Sequence, residues 1–218
     1  MTNISENIKT IKASIPENVT LVAVSKTKHV LEIMEAYHTG QRIFGENKIL
    51  EMVEKWEAMP KNIEWHMIGH VQTNKVKYMA EFVSLIHAVD SLKLLKEINK
   101  QAHKYERIIS CLLQIKIAEE DSKFGMTEAD ALALLNDSSV KQFNHIKIVG
   151  LMGMATFTED EAQLVSEFSR LKKFFDTHKT AYRFTTLSMG MSGDYPIAIS
   201  QGSTMIRVGS SIFGERNY

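Results

Sequence analysis

Eight short β-type runs, LVAVSK, RIFG, EWHMIG, SLIHAVD, SCLLQIKI, IKIVGLMG, FTTLSMG and MIRVG, follow one another along this 218-residue chain with helical patterns between them. Alternation of strand and helix is the pattern of a parallel sheet, and eight is the number at which such a sheet closes on itself. The chain therefore reads as one α/β domain over 1–218, a (β/α)8 TIM-type barrel. An extra N-terminal helix precedes it, with Ile4, Ile8, Ile11 and Ile15 as its apolar stripe. A doubly wound open sheet shows the same alternation and competes with the barrel. Its usual fingerprints, GxGxxG after the first strand or GxxxxGK[ST], do not occur in the chain.

Local signals place the helices. The segment from Val30 stops at Gly40, and Ile49, Val53 and Trp56 share a face before Pro60 breaks the pattern. Ser91 can cap a helix that buries Leu95, Ile98 and Ala102. Thr158 and Glu161 have capping-box spacing ahead of Leu164, Phe168 and Leu171. Lys plus Arg equals Asp plus Glu at 26 each, so no overall positive field draws nucleic acid or an anionic membrane, and an anion must be caught locally. The single Cys111 lies in an apolar run and reads as core. No signal-type segment opens the chain and no run of about 18 apolar residues occurs, so a soluble cytoplasmic protein is expected.

Lys26 follows Val22 and Val24 at strand spacing and should face inward at the C-terminal end of the first strand, where barrel sites are built. Desolvation of such a lysine favours the neutral amine that attacks an aldehyde; the plainer alternative is an ammonium reaching solvent. Small residues cluster after the last two strands: Ser188, Gly190, Ser192 and Gly193, then Gly209, Ser210 and Ser211. Backbone N–H groups and hydroxyls at these ends suit a phosphate. Arg207 alternates with Ile206 and Val208 and should share the inward face with Met205. A guanidinium beside a pyridine nitrogen would disfavour its protonation and leave the ring a weak electron sink. His66, His70 and His87 do not make a convincing metal set, because four-residue spacing aligns ligands on a helix and EWHMIG reads as strand. Met152, Met154, Met189 and Met191 read as core filling.

An ordered set of motifs spans nearly the whole chain: AVSKT from Ala23, FGEN from Phe44, WHMIGHVQTNK from Trp65, KFGM from Lys123, GLMGM from Gly150, SMGMSGD from Ser188 and STMIRVGSSIFGER from Ser203. Taken together it resembles the pyridoxal phosphate homeostasis protein family. The resemblance implies a barrel of the alanine racemase N-terminal type (PLP fold-type III) that binds pyridoxal 5′-phosphate (PLP) as a Schiff base on Lys26. It further implies that Ser188, Gly209 and Ser210 hold the phosphate and that Arg207 faces the pyridine nitrogen. Asn47 would lie near the ring, Met189 and Gly190 would shape the pocket, and Lys123 would be a second contact. Leu50, where the family commonly has glutamine, and Pro196, in a segment usually acidic or small, depart from the pattern. The implied role is a carrier that buffers PLP or passes it to apo-enzymes, with no catalytic residue of its own. The chain ends at Tyr218, just after the last barrel motif, so the second domain that lends a racemase its tyrosine is expected to be missing, and a monomer is expected. An amino-acid racemase and a cofactor-free Schiff-base aldolase are the alternatives, and both would use Lys26.

Overall fold

The computed structural model describes residues 3–120 and 124–215 and shows a closed parallel barrel in which each strand pairs with the next in sequence. The strands are β1 (Thr20–Val24), β2 (Ile43–Glu46), β3 (Glu64–Met67), β4 (Leu85–Val89), β5 (Ile109–Lys116), β6 (Ile146–Met154), β7 (Thr186–Ser188) and β8 (Met205–Val208). Parallel pairing of β1 with β8, Thr20 opposite Met205 through Ala23 opposite Val208, closes the ring and excludes the open sheet. The helices are α1 (Ile4–Ser14), α2 (Val30–His38), α3 (Ile49–Ala58), α4 (Leu92–Lys104), α5 (Glu128–Asn136), α6 (Glu161–Tyr182), α7 (Tyr195–Ser200) and α8 (Ser210–Phe213). Between β3 and β4 the connection is a 3-10 helix over Thr73–Tyr78.

Strand alternation sorts the apolar side chains into two cores. Leu21, Ala23, Phe44, Trp65, Ile206 and Val208 point outward into the large layer shared with the helices, including Leu95, Ile98 and Phe168. Val22, Leu85, Ala88, Leu112, Met152 and Met205 point inward and fill the lumen. The stripe of α1 lies on the outer layer, with Ile4, Ile8 and Ile11 buried and Ile15 just past the helix end. Gly150 is where β6 meets β7 most closely: a Cβ there would lie 1.7 Å from the Thr186 carbonyl oxygen, so no larger residue fits without moving a strand.

Ser91 caps α4 by accepting the Leu94 N–H at 3.4 Å. The cap of α6 is not Thr158. Asp160 Oδ1 accepts the N–H groups of Ala162 and Gln163, and the Thr158 hydroxyl accepts the Asp160 N–H in the turn before the helix. An acidic side chain at the N-cap also suits the positive end of the helix dipole, which a hydroxyl two residues earlier cannot reach. Cys111 is buried, and burial pushes its thiol pKa up to about 12, so it is an inert core residue. Among the described residues no helix is long and apolar enough to cross a membrane.

Candidate functional site

The C-terminal mouth of the barrel brings the ends of β1, β7 and β8 together. Beyond Val24 the chain passes through buried Ser25 to half-buried Lys26. The turn after β8 lies against this end of β1: a Cβ on Gly209 would stand 3.3 Å from both Val24 Cβ and the Val24 carbonyl oxygen. From that turn the Gly209 and Ser211 N–H groups both donate to Ser192 Oγ, at 3.1 and 3.5 Å, and Ser192 follows β7. Both N–H groups thus spend their protons on Ser192 Oγ beside the exit of β1, and an anion seated there would take the place of that oxygen as their acceptor. Gly190 is confined at the same end of the barrel. Its φ of +96° suits only glycine, a Cβ would press to 2.7 Å from Ala198 Cβ, and its carbonyl accepts the Arg207 N–H at 3.0 Å.

Beneath the mouth, polar side chains cross the lumen in a continuous chain. Arg207 is buried, as its parity with Met205 requires; Nη1 donates to Ser188 Oγ at 2.7 Å and Nη2 to the Gly153 carbonyl at 3.0 Å. Ser188 Oγ lies 3.1 Å from His87 Nδ1, and His87 Nε2 lies 3.1 Å from His66 Nδ1. Because Ser188 accepts from a guanidinium, its own proton is free to be donated to His87 Nδ1. His87 then carries its proton on Nε2 and donates to His66 Nδ1, an assignment made from the network. Burial pulls the His66 pKa down to about 3. It drives His87 well below its ordinary value, with His66 and Arg207 adding to the fall. Arg207 is lowered by burial to about 10, against the pull of the Asp194 carboxylate, and is a cation at any pH at which the protein works.

This arrangement ties stability to pH. In the unfolded chain both histidines bind a proton near pH 6.5, but in the folded lumen they refuse it. Their contribution is therefore full above pH 6.5 and is lost progressively as pH falls toward 3. His66 alone should remove about 2 kcal/mol between pH 7 and pH 5. Urea unfolding at the two pH values, for the parent and a His66→Gln/His87→Gln variant, checks this: the variant should lose much of the pH dependence.

The structure places the sequence-derived positions at different depths of the barrel. Lys26, Gly190, Gly209 and exposed Ser210 all follow the C-terminal ends of strands, and Arg207 faces the lumen. Ser188, assigned to the phosphate, lies one layer deeper, fully buried, with its hydroxyl engaged by Arg207 and His87; the hydroxyl beside the Gly209 N–H is that of Ser192. Met189 points into the outer core, so only its backbone is near the site. Asn47 is exposed at the bend after β2, and the candidate Lys123 lies outside the described residues. His66 and His70 diverge. His66 is inside the barrel, whereas His70 is half-exposed, 3.4 Å from Asp90 Oδ2 and stacked on Phe124. The His66–His87 contact went unread, although both residues sit at inward parity on adjacent strands, which is a usable signal.

A closed barrel with a lysine at the exit of β1, an inward arginine on β8 and a glycine–serine turn beside them defines a class: the alanine racemase N-terminal domain, whose family description matches residues 1–217. The alanine racemase of Clostridium difficile 630 shares the fold with a TM-score of 0.79 at 13% identity, over 99% of this chain and 57% of that one. Within the class, the chain belongs to the family of pyridoxal phosphate homeostasis proteins. It is 40% identical to the member from Pasteurella multocida over 95% of this chain and 91% of that one. To the Escherichia coli K12 member it is 38% identical, over 93% and 88%. The structure of PipY from Synechococcus elongatus with PLP bound superposes with a TM-score of 0.88 at 34% identity, covering 97% of this chain and all of that one.

Proposed function

We propose that this protein binds PLP reversibly through a Schiff base on Lys26 and serves as a carrier that buffers the cofactor or delivers it to apo-enzymes, without catalysis of its own. The observation that carries the reading is the packing of the glycine–serine turn after β8 against the end of β1 that leads into Lys26: Gly209 lies against Val24, the N–H groups of Gly209 and Ser211 gather on Ser192 Oγ, and Arg207 lies deeper on β8. Each part fits a feature of PLP: an amine for the aldehyde, backbone N–H groups and a hydroxyl for the phosphate, and a cation for the pyridine nitrogen. When bound, PLP supplies an electrophilic aldehyde and a ring that withdraws electrons strongly only when its nitrogen is protonated.

The chain's own residues favour holding over turnover. Arg207 stays positively charged and opposes protonation at the ring nitrogen, and Ser188 and the Gly153 carbonyl fix its guanidinium. His66 and His87, the nearest titratable groups in the lumen chain, are kept neutral by burial and offer no proton around neutral pH. A racemase reading would need an acid–base group across the ring from Lys26.

Titration of the purified protein with PLP, followed by borohydride reduction and peptide mapping, tests the proposal. It predicts a visible absorbance band at about one equivalent and pyridoxyl fixed on Lys26. No band, or label scattered over surface lysines, would sink it, and exchange of an amino-acid α-proton at a useful rate would turn the carrier into an enzyme.

A further inference from the structure

Behind the barrel wall, beside the peptide groups that flank Lys26, lies a buried charged cluster. Glu46 ends β2 and is fully buried, on the outward side with Phe44. Lys55 comes from α3 and is buried against it. All three protons of the Lys55 ammonium have acceptors: Glu46 Oε1 at 2.8 Å, Glu51 Oε1 at 2.7 Å and the Ser25 carbonyl at 2.8 Å. The Ser25 hydroxyl donates to Glu46 Oε1 at 2.6 Å, and Glu51 Oε1 accepts the Thr27 N–H at 2.6 Å.

The Ser25 carbonyl and the Thr27 N–H belong to the two peptide groups flanking Lys26. The Lys55 ammonium and the Glu51 carboxylate therefore grip the backbone immediately before and after that residue, while Glu46 holds Lys55 and the Ser25 hydroxyl in place. Thr27 has a φ of +64°, a left-handed conformation that a β-branched residue avoids unless its surroundings impose it, and the Glu51 bond is part of those surroundings. The cluster is costly to keep. Glu46 Oε2 is buried with no hydrogen-bond partner among the described residues, and burial raises the Glu46 pKa against the opposing pull of Lys55. Buried ion pairs are poor stabilisers compared with apolar residues of the same volume, and where they are retained, geometry is a natural reason.

We propose that Glu46, Glu51 and Lys55 form a clamp that fixes the backbone on both sides of Lys26, so that its amine leaves β1 already aimed at the mouth. They are positioning residues: they act through the peptide groups beside Lys26 and touch no cofactor. Orientation set in advance speeds attack on the aldehyde without altering how the phosphate is held. The cofactor arm of the test rests on the proposed role of Lys26, whereas the backbone arm does not.

Two variants separate clamp from general stability. Glu51→Ala frees the Thr27 N–H at a partly exposed site where folding is under little threat, and Glu46→Leu/Lys55→Met removes both buried charges at similar volume. In the PLP-free proteins, hydrogen exchange at the Thr27 amide, read by NMR, should accelerate about tenfold or more. With PLP, the rate of borohydride-trappable attachment to Lys26 should fall about tenfold, while total binding by equilibrium dialysis changes less than about twofold. Glu51→Gln, whose carbonyl can still accept from Thr27 and Lys55, should restore most of both readouts. Unchanged exchange and trapping in folded variants would overturn the clamp, as would a parallel loss of trapping and total binding. If the parent protein itself fails to trap PLP on Lys26, the carrier reading fails, and Thr27 exchange still decides the clamp.

Discussion

Lys26→Ala is expected to remove borohydride-fixed PLP and its visible band completely, while a weaker, reversible complex survives. The covalent link needs an amine at the exit of β1, and alanine cannot supply one. The Gly209 and Ser211 N–H groups, the Ser192 hydroxyl and Arg207, to which the proposal assigns the phosphate and ring, are untouched by the change. The residual affinity should be lower by about ten- to a hundredfold, corresponding to about 1.4–2.8 kcal/mol. Lys26 lies beyond the end of β1 and is only half-buried, so the truncation should shift stability by no more than about 1 kcal/mol. Equilibrium dialysis, absorbance and thermal unfolding of the same preparation read all three. A full visible band in the variant would place the attachment on another lysine.

Much of the fold was legible because each of the eight β-type runs carries its own signal. Periodicity marks its faces, and glycine, proline or a capping residue marks its ends. Parity, also a local property, correctly put Arg207 on the face of Met205 and separated both from Ile206 and Val208. The α6 cap was misplaced because Thr158 with Glu161 satisfies the spacing rule as well as Asp160 does in its neighbourhood. The competition was decided by which side chain reaches the free N–H groups of Ala162 and Gln163.

Depth in the barrel was not legible. Ser188 looks like a loop serine because β7 is only three residues long, but its register places it opposite Met152 on β6 and Met205 on β8, in the lumen layer. Register with neighbouring strands cannot be read from one strand's own sequence, so Ser188 and Ser192 could not be ranked as phosphate ligands. The clamp was hidden for a related reason. Glu51 and Lys55 are an ordinary i,i+4 surface pair in sequence, and only the packing of α3 on β2 and β3 turns Lys55 inward onto Glu46 and the Ser25 carbonyl.

Arg207→Met should have opposite consequences for the empty and the loaded protein. Burial depresses the Arg207 pKa from 12.5 to about 10, which corresponds to about 3 kcal/mol against the charged form. Methionine removes that charge at similar length, but orphans the Gly153 carbonyl and takes a donor from Ser188, at about 1–3 kcal/mol for each buried group left unsatisfied. The two effects nearly cancel, so the PLP-free variant should unfold within about 2 kcal/mol of the parent, a small change for the loss of a buried arginine. The loaded protein should change far more. If the guanidinium faces the ring nitrogen as proposed, its removal deletes a repulsion of about 4 kcal/mol at contact distance in a partly buried site. The apparent pKa of the bound ring should then rise by about two to three units. A pH titration of the visible absorbance measures that rise directly, and side-by-side α-proton exchange assays show whether a ring that accepts a proton also begins to act as an electron sink. An unchanged titration curve would mean that Arg207 fixes the lumen but does not meet the ring, and the orientation of PLP in the proposed complex would have to be reversed.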